Sequence, residues 1–132
     1  MKDEVYACSV WRKRVDEMLS NDKKAAEITL WSLLETAVQY EADAIELEYA
    51  PEGLEAAFMR GNVGIGNVIQ DDEAIGRIIG ELVAQAKLER KTRGTFKWIH
   101  EQKEYEVRAE EYESFGESAF RLVLKKSRRR AR

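Results

Sequence analysis

Few residues in this chain could do chemistry. The 132 residues hold one histidine, His100, and one cysteine, Cys8. Two such residues cannot build a zinc site, and a Cys/His nucleophile pair would have to bring them side by side. The glycines of Gly61-Asn62-Val63-Gly64-Ile65-Gly66 are not followed by the lysine of a phosphate loop and do not lead into a helix, so they read as a flexible turn. The carboxylates Glu104, Glu106, Glu110, Glu111 and Glu113 read as a solvated strand edge and loop. A general acid/base pair needs two environments that push two pKa values apart, which nothing here indicates. Trp11, Trp31 and Trp98 fall on apolar stripes and read as core. Taken alone, the residues point to no enzyme, no metal and no cofactor.

What remains is charge. Lys125, Lys126, Arg128, Arg129, Arg130 and Arg132 place six cations in the last eight residues. The 22 basic residues less those six leave 16 against 25 acidic ones, so the body carries −9. An acidic body with a basic tail bears on partners rather than on fold. The tail should be loosely ordered, and it would attract nucleic acid or another polyanion weakly and in a salt-dependent way. Folding back onto the acidic body is the bland alternative.

Three alternating stretches dominate the elements that must position these groups. Phe96, Trp98 and His100 alternate with polar neighbours, as do Tyr105, Val107 and Ala109, and then Phe120, Leu122 and Leu124. Period-two patterning of this kind predicts half-buried antiparallel strands. The link from His100 to Lys103 is hairpin-short, and the link from Glu110 to Gly116 is longer. Upstream, apolar spacing predicts helices over 5–19 and 23–42, with Asn21 or Asp22 as cap of the second. A strand over 44–49, a turn at Ala50-Pro51-Glu52-Gly53 and a strand over 54–59 predict a hairpin. Residues 61–69 read as a loop, with a short strand around Val63–Ile69 as the alternative. Asp71 and Asp72 open a helix whose apolar face runs to about Leu88, with Lys87, Arg90, Lys91 and Arg93 complementing its dipole. Gly76 and Gly80 cost this helix propensity unless they permit close packing. The order is α-α-β-β-α-β-β-β, an α+β fold with a mostly antiparallel sheet packed by helices.

Length and composition agree with one domain over 1–124, comprising an N-terminal helix (1–20) and a body (23–124), followed by a basic tail (125–132). No apolar run approaches the ~18 residues of a membrane span. The first residues lack the apolar core of a signal peptide, and a lone cysteine suits a reducing compartment. A cytoplasmic protein is expected.

From residue 42 onward the sequence resembles a known family. Ala42-Asp43-Ala44-Ile45-Glu46-Leu47-Glu48, directly after a buried helix, is similar to the Ala-Ser-Asp-Ile-His-Ile-Glu signature of the bacterial type II secretion and type IV pilus ATPase superfamily. That signature lies in the PAS-like domain preceding the motor. Gly53-Leu54 to Phe58, ending in Arg60-Gly61-Asn62-Val63, looks like the family's second strand and Asp-Gly turn. Leu88-Glu89-Arg90 through Gly94 stands where the family has Glu-(Lys/Arg)-Arg-x-Pro-Gln-Asp-Gly-Arg. Glu106-Val107-Arg108 resembles Asp-x-Arg, and Gly116-Glu117 with Arg121-Leu122 resembles Gly-Glu-x-x-x-x-Arg-Leu-Leu, one residue shorter. The likeness covers about Lys23 to Lys126.

The resemblance implies that two arginines of this domain reach the phosphates of ATP held by the motor. Here the first position is Thr95 and the second is Arg108. The Pro-Gln pair is missing, and Asp43 and Glu46 replace the signature's serine and histidine. The motor's phosphate loop and metal-binding acids are not in this sequence. Arg108, Glu117 and Arg121 are therefore candidate phosphate or ion-pair residues, with surface pairing to Glu106, Glu110 or Glu117 the plainer role. The expected function is a non-enzymatic interaction or regulatory domain, stand-alone, docking onto a secretion or pilus assembly component or onto itself. A polyanion binder, or a fragment of a longer ATPase, is the alternative.

Overall fold

The computed structural model describes residues 28–130. The helix expected over 5–19, with Cys8 and Trp11, lies outside these residues, as does Arg132. The described elements are α1 (Leu30–Gln39), β1 (Ala44–Ala50), β2 (Gly53–Arg60), β3 (Val63–Ile69), α2 (Asp72–Ala86), β4 (Arg93–His100), β5 (Lys103–Ser114) and β6 (Glu117–Arg130). The six strands form one antiparallel sheet in the order β3-β2-β1-β6-β5-β4. The architecture is α+β, with the sheet the larger part.

Alternation decides which face is buried. Ile45 on β1 pairs with Phe58 on β2 and Leu122 on β6, and Leu122 pairs with Ala109 on β5. All four lie on the face that receives the helices, together with Val107, Phe96 and Ile65. α1 presents Leu30, Leu33, Leu34 and Ala37 to this layer, and α2 presents Ala74, Ile75, Ile78, Leu82 and Ala86. The opposite, outer face carries the polar set: Glu46, Glu48, Glu106, Arg108, Glu110 and Arg121.

Several expectations need correction. Of the helix expected over 23–42, residues 23–27 and the caps Asn21 and Asp22 lie outside the described residues, and α1 runs over Leu30–Gln39. Thr29 is its N-cap, and Thr29 and Ser32 exchange hydrogen bonds (2.8 and 3.2 Å) in a capping box that satisfies two otherwise orphaned N–H groups. Residues 63–69 form a full strand on the sheet edge, not a loop. Gly64 and Gly66 pair with Met59 and Ala57 on the outer face, where no side chain is needed to fill the core. The link before β6 is only the two-residue turn Phe115-Gly116, because β5 continues through Ser114. Glu111 and Tyr112 extend the alternation, but with polar groups that resemble a loop in sequence.

α2 ends at Ala86, with Lys87 as a left-handed C-cap (φ 58°), so Arg90 and Lys91 lie in the connection and Arg93 on β4. None of these cations sits in the last helical turn. Gly76 and Gly80 are exposed, with nothing near the positions of their missing Cβ atoms, so they serve no close packing. Finally, β6 runs through Arg130 rather than stopping at Leu124. Lys125 pairs with Glu106, Lys126 with Tyr105 and Arg130 with Lys103, past an irregularity between Lys103 and Tyr105. Backbone pairing to β5 orders these residues despite their charge.

Gly94, like Gly53 against the Ile69 carbonyl, is a glycine the fold requires. A Cβ on Gly94 would run into the carbonyl of Ala86 at the C-terminus of α2, so its absence lets the helix end settle directly on β4.

Candidate functional site

The outer face of β4, β5 and β6 holds a groove of about 520 Å³. Lys91, Arg93, Arg108 and Arg121 line it, with Thr95, Val123 and Glu110 between them. Register explains the gathering. Arg93 pairs across with Glu110, which pairs with Arg121, which pairs with Glu46 on β1. One residue pair further along, Thr95 pairs with Arg108, which pairs with Val123. Basic and acidic side chains thus alternate across neighbouring strands.

Each arginine already has a carboxylate nearby. Arg108 Nε donates to Glu106 Oε1 at 2.9 Å, and Arg121 Nη1 donates to Glu46 Oε1 at 3.1 Å. Arg93 Nη2 lies 3.7 Å from Glu110 Oε1. All of these groups are at least partly exposed, so the pairs are weak and can rearrange at little cost. The hydrogen bond from Arg108 holds the Glu106 carboxyl below the usual carboxylate range, so it stays charged at neutral pH. Across the sheet, Tyr112 donates to Glu48 Oε1 at 3.2 Å. Burial, then this hydrogen bond, pushes its phenol up to about 12.

The structure brings Arg108 and Arg121 together but not Glu117, which stands at the exposed start of β6 beside the Phe115-Gly116 turn. Lys125 and Lys126 are exposed on β6, and residues 128–130 follow them on the same strand. Lys91 and Arg93 belong to the groove although their place in the sequence suggests a helix end. Arg93 lies two residues before Thr95 on the same strand face, and this period-two spacing is the signal that connects it to the site. Asp43 has a structural role. Its Oδ2 accepts the Gly61 N–H at 2.9 Å and so braces the β2–β3 turn. His100 stacks on Trp98 with centroids 5.0 Å apart, and its Nε2 lies 3.9 Å from the exposed Glu101 carboxylate.

This arrangement can receive anionic oxygens on an open face. Among the described residues, no three His, Cys, Asp or Glu side chains cluster so as to hold a metal ion. No helix among them is long and apolar enough to cross a membrane.

No family model matches the chain, and no curated protein matches it. Among solved structures, the chain is similar to the ATPase DotB of Legionella pneumophila, at 18% identity and a TM-score of 0.40. The likeness covers 71% of this chain and 27% of that one, so the chain spans about a quarter of the length of DotB.

Proposed function

We propose that the chain is a non-enzymatic docking domain, similar in role to the domain that precedes the motor in secretion and pilus-assembly ATPases. The observation that supports this reading is the cationic groove. Arg108, the arginine that resembles the family's Asp-x-Arg, lines it with Arg93, Lys91 and Arg121. Such a face can accept phosphate or carboxylate oxygens that another protein, or another domain of a longer polypeptide, presents. It offers no phosphate loop to cradle the β- and γ-phosphates with Mg²⁺, so it binds without turning ATP over. The partner class that fits is a nucleotide-loaded assembly ATPase, or a second copy of the chain.

The test is capture of assembly ATPases from native extract, with and without ATP, by the wild-type chain and by Arg108→Ala. ATP-dependent capture that Arg108→Ala abolishes supports the reading. ATP turnover that tracks the purified chain and dies with Arg108→Ala overturns it.

Polyanion binding is the second reading, favoured by the exposure of Lys125 and Lys126 on β6. Because β6 stays paired through Arg130, the suitable variant is Lys125→Gln with Lys126→Gln, which keeps the strand, rather than truncation at Leu124. Filter binding of single-stranded RNA at low salt should fall with that variant and vanish near ~0.15 M salt.

A further inference from the structure

The hairpin joining β5 to β6 ends in a side chain that the fold does not use. Phe115 is fully exposed, at 104% of its reference area. It occupies the first position of a two-residue turn with φ 52°, followed by Gly116 with φ 84°. Asn or Gly is the residue such a turn prefers, so neither core packing nor turn chemistry explains a phenylalanine here. The neighbouring β1–β2 turn stands beside it, and Tyr49, itself 42% exposed, lines a cavity with Pro51, Phe115 and Glu117.

Charge is segregated around this tip. Residues 48–55 and 111–119, the two turns and the strand ends that meet there, hold six glutamates and no lysine or arginine. On the same sheet, the outer-face groove has four cations, one carboxylate and the apolar Val123. An aromatic knob with an acidic surround and a cationic groove with room for a ring are complementary surfaces on one molecule.

We propose that the chain associates with itself, the Phe115 hairpin of one copy seating in the Arg108 groove of the next. This names a second copy as the partner and so rests on the reading of the chain as a docking domain. The ring of Phe115 lies against the guanidinium planes of Arg108 and Arg121, an arrangement that cation–π attraction favours. Glu113 and Glu117 flank it and exchange for the carboxylates that pair with these arginines in the free chain. The two patches differ, so each contact is heterologous and leaves one tip and one groove open unless the assembly closes.

Sedimentation velocity on the purified full chain, from micromolar to millimolar concentration, tests this. Association is expected at low ionic strength and should be lost at about 1 M salt, where the Debye length is near 3 Å. Phe115→Asn suits the turn better than the native residue, so it folds; it should weaken association at least tenfold, as loss of an aromatic anchor does. Arg108→Glu should do the same from the other side. Mixing the two variants leaves one intact tip and one intact groove, so the mixture should form pairs and nothing larger. A wild-type chain that stays monomeric throughout, variants that associate like wild type, or a mixture that fails to pair each overturns the proposal. A monomer that still captures an ATPase through Arg108 defeats only this inference, whereas a monomer that captures nothing defeats the docking reading as well.

Discussion

Thr95 on β4 lies directly opposite Arg108 on β5, both exposed on the outer face of the sheet. Directly opposed residues in an antiparallel pair have Cβ atoms about 4.5–5.5 Å apart, so their side chains can serve one ligand. Thr95→Arg would set a second guanidinium beside the first. Binding of inorganic polyphosphate at low salt, followed by calorimetry, should tighten several-fold in Thr95→Arg and weaken in Arg108→Ala. If neither variant changes it, phosphate recognition does not involve this groove.

Gly76 and Gly80 stand on the exposed side of α2 with open space where a Cβ would go. Alanine at either position should raise the unfolding free energy by about 0.5–1 kcal/mol, through helix propensity and a less disordered unfolded chain. Chemical denaturation reads this as a higher midpoint at unchanged slope. A lower midpoint would show that the glycines accommodate a close neighbour.

Gly94→Ala should act in the opposite direction. Its new methyl would meet the Ala86 carbonyl, which is backbone and cannot swing aside. Overpacking of this kind costs about 1–3 kcal/mol. Thermal unfolding of the variant at or above the wild-type temperature would mean that the helix end does not rest on β4.

Phe58 and Trp31 separate the buried from the merely shielded. Phe58 is completely buried, whereas Trp31 is half-buried, packed against the core with its ring edge-on to Phe96 at 6.1 Å. Phe58→Ala should cost about 3–5 kcal/mol, the range for large-to-small core changes. Trp31→Ala should cost clearly less, because part of its surface stays wet. Equal losses in urea denaturation would count against this ranking.

Tyr112 should make stability fall in alkali. Its phenol is raised to about 12 from an ordinary value of 10.0, so the folded state holds the proton more tightly than the unfolded state does. The contribution is complete below the unfolded pKa and is lost as pH climbs towards the folded one. Tyr112→Phe should therefore show a shallower loss of stability than wild type between about pH 10 and pH 12, read from denaturation midpoints. Parallel profiles would show that neither burial nor the bond to Glu48 raises this phenol.

Strands with clean alternation were legible because one face is apolar throughout: Phe96, Val107 and Leu122 are buried as their spacing implies. Legibility failed where polar residues continue a strand. Glu111 to Ser114 and Lys125 to Arg130 carry little apolar signal, yet ladder bonds between β5 and β6 hold both stretches. The same limit applied to β3, where Gly64 and Gly66 look like a turn until pairing with β2 gives them partners.

The sequence by itself determined the class of the fold and the face of each strong strand that turns inward, because both follow from residue type and local period. Only the tertiary structure decided which charged residues meet. Arg93, Arg108 and Arg121 come from three strands separated by turns, and strand order and register place them around one groove. The same register sends Glu117 to the hairpin tip beside Phe115 and away from the arginines it resembled a partner for. Register in these two hairpins is fixed by their two-residue turns, and the second turn lies beyond the apolar residues of β5, so the local apolar period does not give it.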